Sequence, residues 1–226
     1  MTKNTDTWKK FYAEAHERHN LFPSETLVRM MKGSSYLTKM DKDYDGRSIL
    51  EVGFGSGNNL ALFSSLGLNL AGVEVDQDIC DAVVKKFNAI GLNVDARKGD
   101  NRNIPFEDNS FDFLVSWATV HYESDIKNYE AALREFRRVL KPGGWVLLET
   151  VAPNHSIFRD SQIEGPFIHR IMREDDIRCG QTFLCLEDEK YVKHYYSKVF
   201  NDVVVGTTDL CLFNERINTF LVAGRK

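Results

Sequence analysis

The chain has 226 residues, of which 42% are hydrophobic and 27% charged, and a formal net charge of −4. That length fits one domain able to bury a full core, and the acidic balance argues against nucleic acid as a partner, because domains that bind it carry strong basic excess. No apolar run approaches the roughly 20 residues of a membrane span. The opening "MTKNTDTWKKFYAEAHERHN" is too polar for a signal peptide, so a cytoplasmic location is expected. Cys80, Cys179, Cys185 and Cys211 match no zinc spacing. The expectation is reduced, mostly buried thiols and no metal.

In chain order, Trp8, Phe11, Tyr12 and Ala15 recur at helical spacing over residues 5–18. "FPSETLVRMM" predicts a second helix with Ser24 as N-cap. From residue 48 the pattern alternates. Strand "SILEV" leads to helix "NNLALFSSL", which Gly67 can end. Strand "LAGVEV" leads to helix "QDICDAVVKKFNAI", ended by Gly91. Strands "NVDARKG" and "FDFLVSW" follow, and then helix "DIKNYEAALREFRRVL" places Tyr129, Leu133, Phe136 and Leu140 on one face. "KPGG" is expected to break that helix before strand "WVLLETV". The rhythm lapses over residues 152–186, where "REDDIR" reads as a solvated helix face. A helix near 187–198 and two strands, "DVVVGTTDLCLF" and "RINTFLVAGRK", end the chain. The turn between them is too short for a parallel crossover, so they predict an antiparallel hairpin.

Apolar strands alternating with amphipathic helices imply an α/β fold, a doubly wound, mostly parallel sheet covered on both faces. The single expected domain, residues 1–226, divides into a helical cap (1–45), a core (46–151), a lid insertion (152–186) and a C-terminal helix and hairpin (187–226).

"ILEVGFGSGNN" puts Gly53, Gly55 and Gly57 at a strand-to-helix turn with Glu51 before it. Such a turn brings backbone close to a ligand. A dinucleotide site uses G-x-G-x-x-G, whereas the spacing here is G-x-G-x-G with Asn58 at the expected third glycine. Glu74 lies about 20 positions on, where a carboxylate can accept from ribose hydroxyls.

"ILEVGFGSGNN", "GVEVD", "KGDNRNIPFEDNSFDFLVSWATVHY" and "LREFRRVLKPGGWVLLE" occur in this order over residues 46–150. Together they resemble the class I S-adenosylmethionine-dependent methyltransferases, and most closely the small-molecule enzymes of quinone biosynthesis. The resemblance implies a Rossmann-like seven-stranded sheet with helical lid elements and S-adenosyl-L-methionine as cofactor. It implies that Glu51 and the backbone of Gly53, Gly55 and Gly57 surround the methionine end. Glu74, with Val75 beside it, would hold the ribose. Asp100 would accept from the adenine amino group next to the Asn101 backbone. Ser116 and Trp117 would line the methyl-donating sulfur. Many relatives carry Asp where this chain has Glu74. N-terminal helices in similar enzymes close over the cofactor, which would bring Tyr12 to it. On periodicity alone Trp8 and Tyr12 face the core.

Methyl transfer needs alignment of nucleophile, methyl and sulfur. His121, a few residues after the fourth strand with Tyr122 and Glu123 beside it, is the candidate base. Its bland alternative is packing. His155 and His169 are weaker candidates. The lid is expected to hold the acceptor, with Phe158, Phe167 and Phe183 as contacts, and its mixed charges give no sign of the acceptor's charge. The expected partner is a small-molecule acceptor, attacked at oxygen, nitrogen or carbon, and the expected assembly is a monomer or homodimer. The alternatives are a nucleic-acid methyltransferase, a nicotinamide oxidoreductase and a non-catalytic cofactor-binding module.

Overall fold

A computed structural model describes Thr7, Trp8, Phe11, Tyr12 and residues 21–226. Those first four residues are helical. The rest of the first expected helix lies outside the described residues.

The strands β1 (Ser48–Val52), β2 (Asn69–Glu74), β3 (Val94–Lys98), β4 (Phe111–Trp117) and β5 (Leu140–Val151) follow the predicted alternation. Three short strands come next: β6 (Gln162–Gly165), β7 (Ile168–Arg170) and β8 (Thr182–Leu184). The chain ends in β9 (Asn201–Leu212) and β10 (Glu215–Arg225). The main sheet has the order β3-β2-β1-β4-β5-β10-β9. Its first five strands run parallel, and β10 pairs antiparallel with both β5 and β9. Strand order therefore reverses between β1 and β4, and the crevice beyond their carboxyl ends is where an open α/β sheet binds ligands.

The helices are α1 (Glu25–Lys32), α2 (Asn58–Ser65), α3 (Gln77–Asn88), α4 (Ile126–Val139) and α5 (Glu189–Ser197). Ser24 caps α1 by accepting from the Leu27 N–H. Asp76, Asp125 and Asp188 cap α3, α4 and α5 in the same way, each satisfying donors that the first turn leaves orphaned. Alternate strand residues feed two cores. Leu50, Val52 and Leu114 pack with Tyr129, Leu133, Phe136 and Tyr196 of α4 and α5. Ile49, Phe113 and Val115 pack on the other face with Leu60, Phe63, Val83 and Phe87 of α2 and α3. The period of two along each strand thus covers both faces. Tyr129, Leu133, Phe136 and Leu140 are all fully buried. The hydroxyls of Tyr129 and Tyr196 hydrogen-bond at 2.7 Å, which satisfies two polar atoms inside an apolar cluster.

Four expectations are corrected. "KPGG" does not stand outside a strand: β5 starts at Leu140 and absorbs it as an irregularity in pairing with β4. Gly143, at φ 80°, supplies the conformation that this needs. Residues 152–186 hold one 3-10 turn, Ser156–Phe158, and the three-stranded antiparallel sheet β6-β7-β8, with no α-helix. "REDDIR" is a run of turns held by ion pairs, Arg173 with Asp175 and Arg178 with Asp176. All four cysteines are free, but Cys179 and Cys211 are exposed while Cys80 and Cys185 are buried. No helix among the described residues is long and apolar enough to cross a membrane.

Candidate active site

A cleft of about 730 Å³ opens beyond the carboxyl ends of β1, β2, β4 and β5. Tyr12, Gly53, Glu74, Val75, Asp100, Asn101, Trp117 and His121 all line it. Helical residues from before α1 form its roof. Trp8 and Tyr12 stack at 5.7 Å, and Trp8 meets the edge of Tyr122 at the same distance. A Cβ on Gly55 would lie 2.6 Å from the Tyr12 hydroxyl, so the glycine is what lets this phenol settle on the turn.

The glycine turn is held from within. The Gly53 N–H donates to the Val73 carbonyl at 2.8 Å and the Gly57 N–H to the Phe54 carbonyl at 2.9 Å. The Gly55 N–H donates to Glu74 Oε1 at 2.9 Å. Glu74 Oε2 accepts from the Val75 N–H at the same distance. A phosphate cradle needs backbone N–H groups aimed outward, whereas these are spent on the protein's own acceptors. Gly53 sits at φ 75°, and a Cβ there would come within 2.1 Å of Thr119 Cγ2. Gly57 makes room for Phe87, 2.8 Å from its would-be Cβ, so that α2 can pack on α3.

Carboxylates dominate this half of the cleft. Burial raises the Glu74 pKa, and the Val75 and Gly55 N–H groups oppose that rise. Glu51 lies behind the turn, fully buried. Its Oε1 accepts from Asn59 Nδ2 at 2.8 Å, and its Oε2 has no hydrogen-bond partner among the described residues. Burial pushes its carboxyl up to about 8. Asp100 Oδ1 caps the following turn by accepting from the Arg102 N–H at 2.8 Å. Asn101 Nδ2 donates to Glu123 Oε1 at 3.0 Å, and Arg102 pairs with Glu123.

The other half is built from β4, β5, β10 and the lid. Thr119 Oγ1 bonds Ser116 Oγ at 2.6 Å and donates to the Val52 carbonyl at 3.1 Å, which locks the loop after β4 onto β1. His121 is 2% exposed, packed between Tyr122 and Phe183 with ring centroids at 4.7 and 4.5 Å. Its Nδ1 has no partner among the described residues. Burial, then the nearby Arg178 and His155, drive its pKa down to about 3. Glu149, Thr219, Ile217, His155 and Arg178 complete the wall.

Glu51, Gly55, Gly57 and Ser116 do not themselves line the cleft; they lie behind its wall and shape it. Phe158, Phe167 and Phe183 do not line it either: Phe183 supports His121 and Tyr122, Phe158 packs on His169, and Phe167 packs on Tyr191. The lid reaches the cleft through His155 and Arg178 instead. Sequence reasoning missed Glu149, Thr119, Thr219 and Arg178. A signal for Glu149 existed, because Glu51, Glu74 and Glu149 each sit at or near the carboxyl end of a buried strand.

The donor set suits a cationic nucleoside better than a dinucleotide. Carboxylates face the cleft, the glycine turn offers no free N–H from Gly53, Gly55 or Gly57, and one buried carboxylate oxygen has no partner among the described residues. Residues 50–148 match the family described as methyltransferase domain. A demethylmenaquinone methyltransferase of Staphylococcus aureus is 35% identical over 118 residues, 50% of this chain and 47% of that protein. The chain thus spans about half the length of the curated relatives it matches. Among solved structures, an S-adenosylmethionine-dependent methyltransferase of Methanosarcina mazei superposes with a TM-score of 0.68 at 18% identity, covering 91% of this chain and 99% of that one. Another from Mesorhizobium loti gives 0.62 at 15% identity, covering 84% and 95%.

Proposed function

We propose that this chain, whose residues 50–148 match a methyltransferase domain family, is a class I S-adenosylmethionine-dependent enzyme that transfers a methyl group from that cofactor to a small or carrier-linked metabolite. The observation that carries the reading is the glycine turn, whose N–H groups are satisfied internally while the carboxylate that satisfies one of them, Glu74, lines the cleft. Each Glu74 oxygen accepts one backbone bond and keeps a second lone pair for a ribose hydroxyl. Asp100 keeps Oδ2 for an amino group of the base, with the Asn101 backbone beside it. Glu51 sits under the turn behind the cleft wall, where a ligand ammonium on the cleft side would favour its charged form. When bound, adenosylmethionine supplies a methyl group activated on a sulfonium.

The protein then has to align the acceptor and exclude water. Trp8, Tyr12 and Tyr122 cover the cleft from one side, and the lid from residue 152 to 186 covers it from another. The domain division set out from the sequence follows from these roles, with the core binding the cofactor and the lid meeting the acceptor. The likeness to a demethylmenaquinone methyltransferase supports a small acceptor.

Calorimetry tests the cofactor. Adenosylmethionine and adenosylhomocysteine should both bind and NAD should not. Tight NAD binding without any response to adenosylhomocysteine would overturn the reading. A screen of hydroxyl, amine and activated-carbon acceptors for adenosylhomocysteine release then identifies the acceptor class.

A further inference from the structure

Glu149 is a carboxylate on the acceptor side of the cleft whose structural role is slight. It sits near the carboxyl end of β5, in register with Trp117 of β4 on one side and Leu221 of β10 on the other. The Ala118 N–H bonds its carbonyl at 3.1 Å, which ties this point of β5 to the loop after β4. Its Oε1 accepts from Thr219 Oγ1 at 3.0 Å. Its Oε2 bonds to none of the described residues, and the side chain lines the cleft. No cation among the described residues pairs with it. The titratable and charged groups that line the cleft with it are Tyr12, Glu74, Lys98, Asp100, Arg102, His121, Tyr122, Glu123, His155 and Arg178, and besides burial only the Thr219 hydrogen bond acts on its carboxyl. Arg178 is committed to Asp176 at 2.6 Å, and Arg102 is committed to Glu123.

We propose that Glu149, oriented by Thr219, is the base that takes the proton from the methyl acceptor, and that the positive charge of the bound methyl donor is what ionises it. The proposal rests on the methyltransferase reading above. In the balanced step the acceptor heteroatom gives its proton to Glu149 and its electron pair to the methyl carbon. The carbon–sulfur bond breaks with its pair left on sulfur, and adenosylhomocysteine is the product. The acceptor is therefore one with a proton to lose, a hydroxyl, thiol or protonated amine.

The physical case has two parts. Burial pushes the Glu149 carboxyl up to about 7, opposed by the Thr219 hydrogen bond, so below neutral pH the empty cleft holds it mostly protonated. Trp117, its neighbour in register, lines the same cleft at the end of β4, and on the methyltransferase reading the donor's sulfonium lies between them. A cation within 4–6 Å lowers a carboxyl pKa by about 1–3. The donor thus prepares its own base. The product, which has lost the sulfonium charge, lets the proton stay on Glu149. His121 is poorly suited to this role, since its packing holds it neutral with little affinity for a proton.

The test compares proton release on binding adenosylmethionine and adenosylhomocysteine, by calorimetry at pH 6 in buffers of different ionisation heat. Both ligands carry the same ammonium, so any proton displaced from Glu51 cancels in the difference. The wild type should release about 0.4–0.9 proton per site more with adenosylmethionine, for a carboxyl starting near 7 and lowered by that amount. Glu149→Gln should abolish the difference. Thr219→Val, which removes a bond favouring the charged form, should move it to higher pH, and this variant serves if Glu149→Gln does not fold. Equal release by the two ligands in the wild type, or a difference that survives Glu149→Gln, overturns this proposal alone. Failure of both ligands to bind overturns the methyltransferase reading and this proposal with it. Once an acceptor is known, Glu149→Gln should lower kcat by about 10²–10⁴, with Glu149→Asp recovering part.

Discussion

On the proposed reading, Glu74 is one carboxylate that serves both fold and ligand. Its two oxygens already hold the Gly55 and Val75 N–H groups at 2.9 Å. A residue that only met ribose would leave stability untouched when removed. Glu74→Ala should instead lower the melting temperature as well as cofactor affinity, because each backbone donor left unsatisfied costs about 1–3 kcal/mol. Glu74→Gln keeps one acceptor and should lose less of both. A variant with normal Tm and normal affinity for adenosylhomocysteine would show that the turn and the ligand are held elsewhere. His121 illustrates the opposite case, a residue whose position suggests chemistry and whose surroundings favour packing. Its ring is enclosed by Tyr122 and Phe183, and its pKa is pushed down to about 3. It therefore stays neutral between pH 5 and 8, and the rate profile should carry no imidazole step in that range. His121→Ala should destabilise by about 2–5 kcal/mol, as other large-to-small core changes do. His121→Phe should fold and turn over near wild type. A stable His121→Phe that is about 10²-fold slower or worse would restore the imidazole to the proton transfer.

At the scale of elements, the loop after β4 is locked to the end of β1 through Thr119. Gly53→Ala puts a methyl 2.1 Å from the Thr119 Cγ2, at a φ of 75° that alanine disfavours. We expect a loss of about 1–3 kcal/mol in stability, the usual cost of one strained backbone residue. A larger relative loss of adenosylhomocysteine affinity should accompany it, because Thr119 must move. Gly53→Ala with unchanged affinity would mean that the two loops move independently. The elements that carry this contact were legible in the sequence wherever they had a period. The β/α alternation from residue 48, the Ser24 cap, the buried face of α4 and the final hairpin all follow from spacing and capping chemistry. The lid was not legible, because strands of three or four residues have no measurable alternation. Glu149 and Thr219 escaped for a related reason. They lie 70 residues apart and meet only because β10 inserts between β5 and β9, a strand order that local patterning does not encode. Arg178 read as one member of a charged run, because its burial beside Tyr122 depends on turns held by Asp176.

For the whole molecule, the buried carboxyls gathered at the cleft should write themselves into the dependence of stability on pH. Glu51 is pushed up to about 8 and Glu149 to about 7, both chiefly by burial. Between the ordinary carboxylate range and those values the folded state holds more protons than the unfolded chain. Stability from these two groups is therefore full below pH 4 and declines as pH rises toward 7 and 8. His121 works in the opposite direction. Its pKa is depressed to about 3, so the unfolded chain binds the extra proton, and stability rises with pH until the ordinary imidazole value near 6.5. Asp112, held down to about 2 by Lys141 and Ser48 against its own burial, contributes fully above pH 4. Above pH 6.5 only Glu51 and Glu149 among these four still change stability with pH. One shifted group changes stability by at most about 1.4 kcal/mol per pH unit, so the empty protein should lose about 2 kcal/mol between pH 6.5 and 8. Glu51→Gln cannot ionise and should flatten the decline. Saturating adenosylhomocysteine should flatten it too if the ligand's ammonium lies beside Glu51, beyond the uniform gain that any ligand gives. Denaturant titrations at pH 6.5, 7.2 and 8 on the wild type, the variant and the liganded protein measure all three. A wild-type curve that rises over this window would mean that Glu51 is already ionised in the empty fold, with a cation supplied from outside the described residues.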